Sequence, residues 1–302
     1  MTLANTTAPT PQQGWRVAVL GCGLMSGSAA LALRDSGRTS HIAGYSPSAT
    51  SRNKAMAVGA IQSAHATPQE AMQGADIVLL GMPVGALPDV LRDIRGCITP
   101  NMLLTDVGST KRDVSQAALD MLGDRAACMV PAHPVAGKEV SGVEHAEATL
   151  LLNKRVILTP LDCNSSATLA LAHEVWRATG AAVSTLDATT HDRLYAQISH
   201  LPHLLAFAYL NALADLPECE QALAYAGPGF RDFSRIGASE PQVWRDILMA
   251  NRDEVLRGLD AMRLALNAWE SALRSGNAMA MQEAIDAARQ LRAPWALQVE
   301  DK

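Results

Sequence analysis

The stretch that decides the fold is RVAVLGCGLMSGSAALAL, residues 16–33. An apolar run of β type ends in Gly21 and Gly23, and a segment rich in alanine and leucine follows at once. The order is therefore strand, tight turn, helix. Glycine at 21 and 23 permits the turn and lets backbone approach a pyrophosphate, whose charge is met by N–H groups at the helix start, around Leu24 and Met25. The third glycine of the usual G-x-G-x-x-G is missing: Ser26 takes its place and Gly27 follows. A glycine pattern alone is weak evidence, but one that closes a first strand and opens a helix reads as a dinucleotide-binding turn.

The end of the second strand, HIAGYSPSATSR (residues 41–52), selects the dinucleotide. A carboxylate here would accept hydrogen bonds from the adenosine ribose and repel a 2′-phosphate. This chain has Ser46 instead, with Ser48, Ser51 and Arg52 close behind. Hydroxyls and a guanidinium suit a phosphate better than a bare ribose, which favours NADP over NAD.

Further along, DIVLLGMP, MLLTDVG, ACMVPAHP, RVILTP and AAVSTL continue the alternation of short β runs with helical stretches to about residue 187. That is the pattern of a parallel sheet covered by crossover helices. Beyond it the strands stop. Val255, Leu259, Met262, Leu266 and Trp269 then recur at steps of four and three, one apolar stripe of the kind that forms a core or a dimer interface. The expected architecture is α/β, a Rossmann-type parallel-sheet domain followed by an all-helical domain. Residues 1–14 read as a disordered lead-in, 15–187 as the nucleotide domain and 188–302 as the helical one.

Composition narrows the function classes. A net charge of −5 and the absence of a basic block disfavour nucleic acid or an anionic membrane as partner. No apolar run reaches the roughly 18 residues of a spanning helix, and the polar start MTLANTTAPTPQQ does not resemble an export signal. A cytoplasmic location is expected. The five cysteines are scattered and never spaced as a metal or redox pair, so they read as reduced thiols, and no metal site is expected.

Chemistry-bearing residues gather where parallel sheets bind ligands, beyond the carboxyl ends of strands. DVGSTK (106–111) carries Ser109, and AHPVAGKEVSG (132–142) carries His133 in what reads as a short turn stiffened by Pro134 and Gly137. HDRLYAQISHLPH (191–203) opens the helical part. There Ser199 and His203, spaced i,i+4, share a face if the helix survives Pro202. GPGFRDFSRIG (227–237) is a glycine-bounded loop with Arg231, Asp232 and Arg235. A lone histidine is more often structural than catalytic, so His133 gains meaning only from this company.

Taken in order, GCGLMSGS, DVGSTK, HPVAGKEVSG, HDRLYAQISHLPH, GPGFRDFSRI and PQVWRDI resemble the prephenate and arogenate dehydrogenase family, over residues 17 to about 250. Departures are Ser26 in the glycine turn and Pro228, where the family usually has glycine. The resemblance implies that His133 accepts the proton of the substrate's ring hydroxyl and that Ser109 hydrogen-bonds the same hydroxyl. It implies that Arg235 binds a substrate carboxylate with Asp232 orienting it, and that Ser199, His200, His203 and Trp244 line the pocket from the helical domain. Glu139 falls close to the site by motif position. Prephenate and arogenate both remain open as substrate. A homodimer through the helical domain is implied, and chorismate mutase activity is not expected.

Two rivals stand beside this reading. Dehydrogenases of the β-hydroxy acid type share the layout but use a lysine on the first helix after the nucleotide domain, and here no lysine lies between Lys154 and Lys302. A non-catalytic NADP-binding sensor is the other, and it would bind cofactor without turning over either substrate.

Overall fold

A computed structural model describes residues 14–300, with side chains through Trp295. The lead-in expected over residues 1–14 lies outside the described residues, Gly14 excepted. Strands β1 (Trp15–Leu20), β2 (Thr39–Tyr45), β3 (Ser63–His65), β4 (Ile77–Leu80) and β5 (Leu103–Asp106) form one sheet in the order β3-β2-β1-β4-β5. Every pairing in it is parallel. A strand covered on both faces must be apolar throughout, and IVLL of β4 is buried at all four positions. Alternate residues feed two cores: Val17, Val19, Ile77, Leu79 and Leu103 on one face, Ala18, Leu20, Val78, Leu80 and Leu104 on the other. The strand order reverses between β1 and β4, which opens a crevice at their carboxyl ends.

Helix α1 (Leu24–Asp35) starts directly after the glycine turn. Gly21 holds φ at +94°, and a Cβ there would sit 2.6 Å from the backbone of Gly81, the residue after β4. The two turns cross so closely that neither accepts a side chain. Gly27, one turn into α1, meets Val143 instead: a Cβ would lie 2.7 Å from its Cγ2. Glu147 N–H donates to Ser28 Oγ, so the segment after His133 is laid across this helix.

Helices α2 (Ala49–Ala57), α3 (Pro68–Ala71), α4 (Leu87–Ile94) and α5 (Arg112–Leu122) complete the first half, as the crossover pattern requires. The second half departs from the expected parallel sheet. Strands β6 (Ala132–Val135), β7 (Arg155–Leu158) and β8 (Ala182–Thr185) form a separate sheet in which β6 and β7 run antiparallel, while α6 (Ser166–Ala178) joins β7 to a parallel β8. A parallel return needs a crossover of a dozen or more residues, usually a helix. The connection from β6 to β7 is long enough for one but forms no crossover helix, only a short helical turn, Val143–His145, after a left-handed Gly142.

The expected ACMVP strand is also interrupted. Met129 bridges Leu104 and Val130 N–H donates to Leu104 O, but Pro131 has no N–H to continue the ladder. The strand restarts at Ala132. His133 therefore sits inside β6, opposite Ile157, and not in a turn that Pro134 and Gly137 shape.

The described chain divides into two compact units. One comprises the residues up to Asp192 together with Ala226–Ala250; the other comprises Arg193–Tyr225 and the chain from Asn251 on. Helices α7 (Ala188–Tyr195), α8 (Leu201–Ala214), α9 (Cys219–Ala224), α10 (Pro228–Ser234), α11 (Pro241–Ala250), α12 (Arg252–Ser275) and α13 (Ala278–Glu300) follow in order. The first unit keeps α10 and α11, and α11 packs on the turn Val84–Ala86 that follows β4. In the second unit the apolar stripe of α12 is buried at Val255 but open at Leu266, 55% exposed. No helix among the described residues is long and apolar enough to cross a membrane.

Gly21→Ala combines a left-handed backbone with a clash against backbone. It should destabilise the chain by about 2–5 kcal/mol, read from the urea midpoint at unchanged m-value; a loss below about 1 kcal/mol would mean that the crossing relaxes.

Candidate active site

The dinucleotide end centres on Ser26, which occupies the place of the missing glycine. Its hydroxyl donates to Gly21 O at 2.6 Å and accepts from Gly23 N–H at 3.0 Å. The substitution thus ties the turn together from inside. At Gly23 the nearest atoms to a Cβ position lie 3.9 and 4.0 Å away, so the ground over the helix start is open. The first-turn N–H groups of a helix have no intrahelical acceptor, and at Leu24 and Met25 they fit an anionic pyrophosphate.

At the end of β2, Ser46 is nearly buried, Ser48 caps α2 by accepting from Ser51 N–H, and the Arg52 guanidinium donates to the carbonyls of Ser46 and Pro47. The cofactor-binding residues of the sequence reading come together here. Cys22, inside the glycine turn, is no nucleophile: burial pushes its thiol up to about 11, against the opposing pull of Arg52.

A second cluster stands at the carboxyl end of β5. Asp106 accepts Gly108 N–H and Lys111 Nζ on Oδ2, at 2.8 and 2.5 Å, and Ala132 N–H on Oδ1 at 2.9 Å. Lys111 Nζ donates as well to Ala132 O at 2.8 Å. One ion pair therefore clamps both backbone groups of Ala132 to the turn that carries Ser109. Its side chains are 0% and 4% exposed.

His133, 7% exposed, is the next residue. Its Nδ1 lies 2.8 Å from His191 Nε2, and the rings meet edge to face with centroids 5.0 Å apart. His191 Nδ1 is in turn 2.8 Å from Asp192 Oδ1. Asp192 also accepts Lys111 N–H at 2.8 Å, Arg112 N–H at 2.9 Å and Arg112 Nε at 3.3 Å, so it sits on the N-terminus of α5. Burial pushes its carboxyl up, but the hydrogen bonds from His191, Arg112 and Lys111 together outweigh it and hold the group below its ordinary 3.8. Asp113 beside it moves the other way, raised by burial despite the Thr110 hydroxyl.

Arg235 and Glu139 are also brought together, with Nη1 3.1 Å from Oε1 and both half-exposed. Asp232 instead accepts from its neighbour Arg231 at 3.3 Å. The support of Arg235 expected from Asp232 comes from Glu139, because Arg231 is the cation adjacent to Asp232 in the chain. Trp244, expected on the helical side, belongs to the first unit through α11.

In the second unit the helix does survive Pro202. A wide π turn, Ala196–His200, joins α7 to α8 and leaves Pro202 in the first turn, where its missing N–H costs nothing. His203 Nδ1 donates to Ser199 O at 2.9 Å. His200, expected to line the pocket, is 0% exposed and its Nδ1 lies 3.1 Å from Asn251 Nδ2; its ring is sealed among the helices. Among the described residues, no three His, Cys, Asp or Glu side chains converge as a metal set.

Comparison with known proteins gives this arrangement a context. Residues 29–185 match the family model described as prephenate dehydrogenase, nucleotide-binding domain, and residues 187–287 match prephenate dehydrogenase, dimerization domain. The chain belongs to the prephenate dehydrogenase family. Among curated relatives, a cyclohexadienyl dehydrogenase of Zymomonas mobilis is 30% identical over 86% of this chain and 88% of its own. Among solved structures, prephenate dehydrogenase from A. aeolicus, in complex with hydroxyphenyl propionate and NAD+, is 31% identical. It covers 94% of this chain and 99% of its own, with a TM-score of 0.85. An arogenate dehydrogenase from Synechocystis is 25% identical over 93% and 99%, with a TM-score of 0.77.

Four residues of this family member's cluster were not singled out by the sequence: Asp106, Lys111, His191 and Asp192. Each stood inside a quoted motif, flanking Ser109 or opening HDRLYAQISHLPH. Lys111→Met strands a buried carboxylate and should cost about 3–5 kcal/mol of stability, measured by denaturant unfolding; a loss under about 1 kcal/mol would show that Asp106 finds another partner.

Proposed function

We propose that this chain is a prephenate dehydrogenase that oxidises and decarboxylates its substrate to 4-hydroxyphenylpyruvate, with NADP as the hydride acceptor. The observation that carries the reading is His133, held almost buried in a strand beside the Ser109 turn and in the same unit as the dinucleotide turn. When bound, the nicotinamide supplies a hydride acceptor for the ring carbon that bears the hydroxyl. As that carbon becomes a carbonyl, the hydroxyl proton must leave, and a neutral imidazole within hydrogen-bond reach is the fitting base. Ser109 orients the hydroxyl. Carbon dioxide departs from the opposite ring carbon, and aromatisation drives that step.

Arg235 is the cation for the side-chain carboxylate, which competes with Glu139 for the guanidinium. Ser199 and His203 keep the substrate-binding role that the resemblance assigns them, while sealed His200 supports them structurally. The ring chemistry is the same in arogenate, and the similarity to an arogenate dehydrogenase supports it as a second substrate. NADP is supported by Ser46 where a ribose-binding carboxylate would stand, with Arg52 folded against the same strand end.

His133→Asn should lower kcat by about 10²- to 10⁴-fold with KM largely kept. Steady-state assays of prephenate and arogenate, each with NADP and NAD, provide the test. Turnover at the wild-type rate in His133→Asn refutes the base, equal or better kcat/KM with NAD refutes the cofactor preference, and cofactor binding without turnover supports the sensor.

A homodimer through the helical unit is part of this reading. Leu264, Leu266, Leu273 and Met279 of α12 and α13 are 55–73% exposed, more apolar surface than a lone helix pair leaves to water. The match to a dimerization domain supports it. Light scattering should give twice the chain mass, and a monomeric mass at micromolar concentration rejects the dimer.

A further inference from the structure

We propose that Asp192 and His191 are positioning residues: together they fix which ring nitrogen of His133 carries the proton, so that Nε2 is the nitrogen presented as base. The inference rests on the reading of His133 as base and adds the groups behind it. Three geometric facts carry it. Asp192 accepts the N–H groups of Lys111 and Arg112, so its carboxylate is set as an acceptor. His191 Nδ1 lies 2.8 Å from Asp192 Oδ1. His133 Nδ1 lies 2.8 Å from His191 Nε2.

A carboxylate has no proton to offer, so His191 Nδ1 carries the hydrogen of that contact. A neutral imidazole has one N–H, and His191 Nε2 is then a lone pair. The hydrogen between the two rings must come from His133 Nδ1, which leaves the lone pair of His133 on Nε2. During the reaction the substrate O–H bond breaks and an Nε2–H bond forms, while the electron pair left on oxygen becomes part of the carbonyl. The imidazolium so formed still donates through Nδ1 to His191, one ring from the Asp192 charge.

Charged groups close to the pair include the Lys111 and Arg112 cations, the Asp106 carboxylate and Asp113. With Asp192 neutralised, the His191–His133 pair loses the carboxylate charge that His191 Nδ1 contacts at 2.8 Å. The direction of the effect follows: a proton on His133 becomes less favourable. The amide of Asp192→Asn also cannot copy the carboxylate. Its NH₂ must face either the two donors of Arg112 or the N–H of Lys111, and in the second placement it donates to His191 Nδ1 and reverses both tautomers.

The tautomers are readable without any turnover. Long-range ¹H–¹⁵N spectra of the cofactor-free protein at about pH 8, above the ordinary imidazole pKa of about 6.5, should show His133 and His191 as two Nδ1–H rings among the eight histidines, in addition to His203, whose Nδ1 donates to Ser199 O. One of the two disappears in His133→Asn and the other in His191→Gln. In Asp192→Asn, both should switch or average. Kinetically, Asp192→Asn should lower kcat by about 10²-fold or more with KM changed only a few-fold, and move the acid limb of kcat to lower pH.

A wild-type spectrum with either ring in the Nε2–H form overturns the proposal, whether or not Asp192→Asn folds. So does an Asp192→Asn enzyme with kcat within about threefold of wild type and an unmoved acid limb. If His133→Asn retains turnover while the unsubstituted protein shows both Nδ1–H signals, the base assignment is what fails, and the tautomer lock stands.

Discussion

Lys111 and Asp106 form a buried ion pair on which the geometry of the site depends. Two charges removed from water cost several kcal/mol each, and their attraction offsets this only when the remaining donors and acceptors are also satisfied. Here they are: Asp106 takes a backbone N–H from each side of the pair, and Lys111 takes the Ala132 carbonyl. A well-packed apolar pair of the same volume would hold the core as firmly. It would not hold both backbone groups of the residue before His133, nor fix the turn of Ser109 to them. The pair serves placement more than stability.

Placement also explains why His133 is in a strand. A histidine on a loop samples several backbone states, and each one moves the imidazole by more than a hydrogen bond tolerates. Pro131 breaks the run beside β5, Ala132 is clamped, and β6 then pairs with β7 through Val135, so the backbone on both sides of the ring is set. The antiparallel turn of β6 onto β7 also sends the next segment across α1, where Gly27 accepts Val143. The dinucleotide turn and the histidine are thus tied by packing as well as by sequence order.

The part of this that sequence alone makes legible is the part written in local patterns. The glycine turn, the apolar β1, β2, β4 and β5, and the motif residues Ser109 and His133 each announce themselves within a dozen positions. The three residues of β3, Ser63, Ala64 and His65, are too few to carry a period, and the direction of β7 depends on there being no crossover helix between β6 and β7. The His133–His191 contact joins positions 58 apart, and no spacing rule connects them. Asp192 reads as an ordinary helix-start acid until the backbone of α5 is seen to end on it. The placement of α11, which carries Trp244, is hidden for the same reason: the helix lies late in the chain, while it packs on the turn after β4.

The charged residues of the site fall into two groups with different tasks, and their burial follows the task. Asp106, Lys111, Asp192, His191 and His133 are all 7% exposed or less. In that low-dielectric setting each hydrogen bond is strong and an alternative pairing is costly, which suits groups that must hold one arrangement. Arg235 and Glu139 are 58% and 50% exposed, and Arg52 lies partly open at the end of β2. Solvent weakens their contacts to the modest level of surface pairs. That is the condition for exchange: a guanidinium sealed with its carboxylate could not release it to an incoming anion, whereas a half-solvated one gives up little. On the proposed function, a rigid acid–base group inside and exchangeable cations at the edge both follow from how much water each group is allowed to keep.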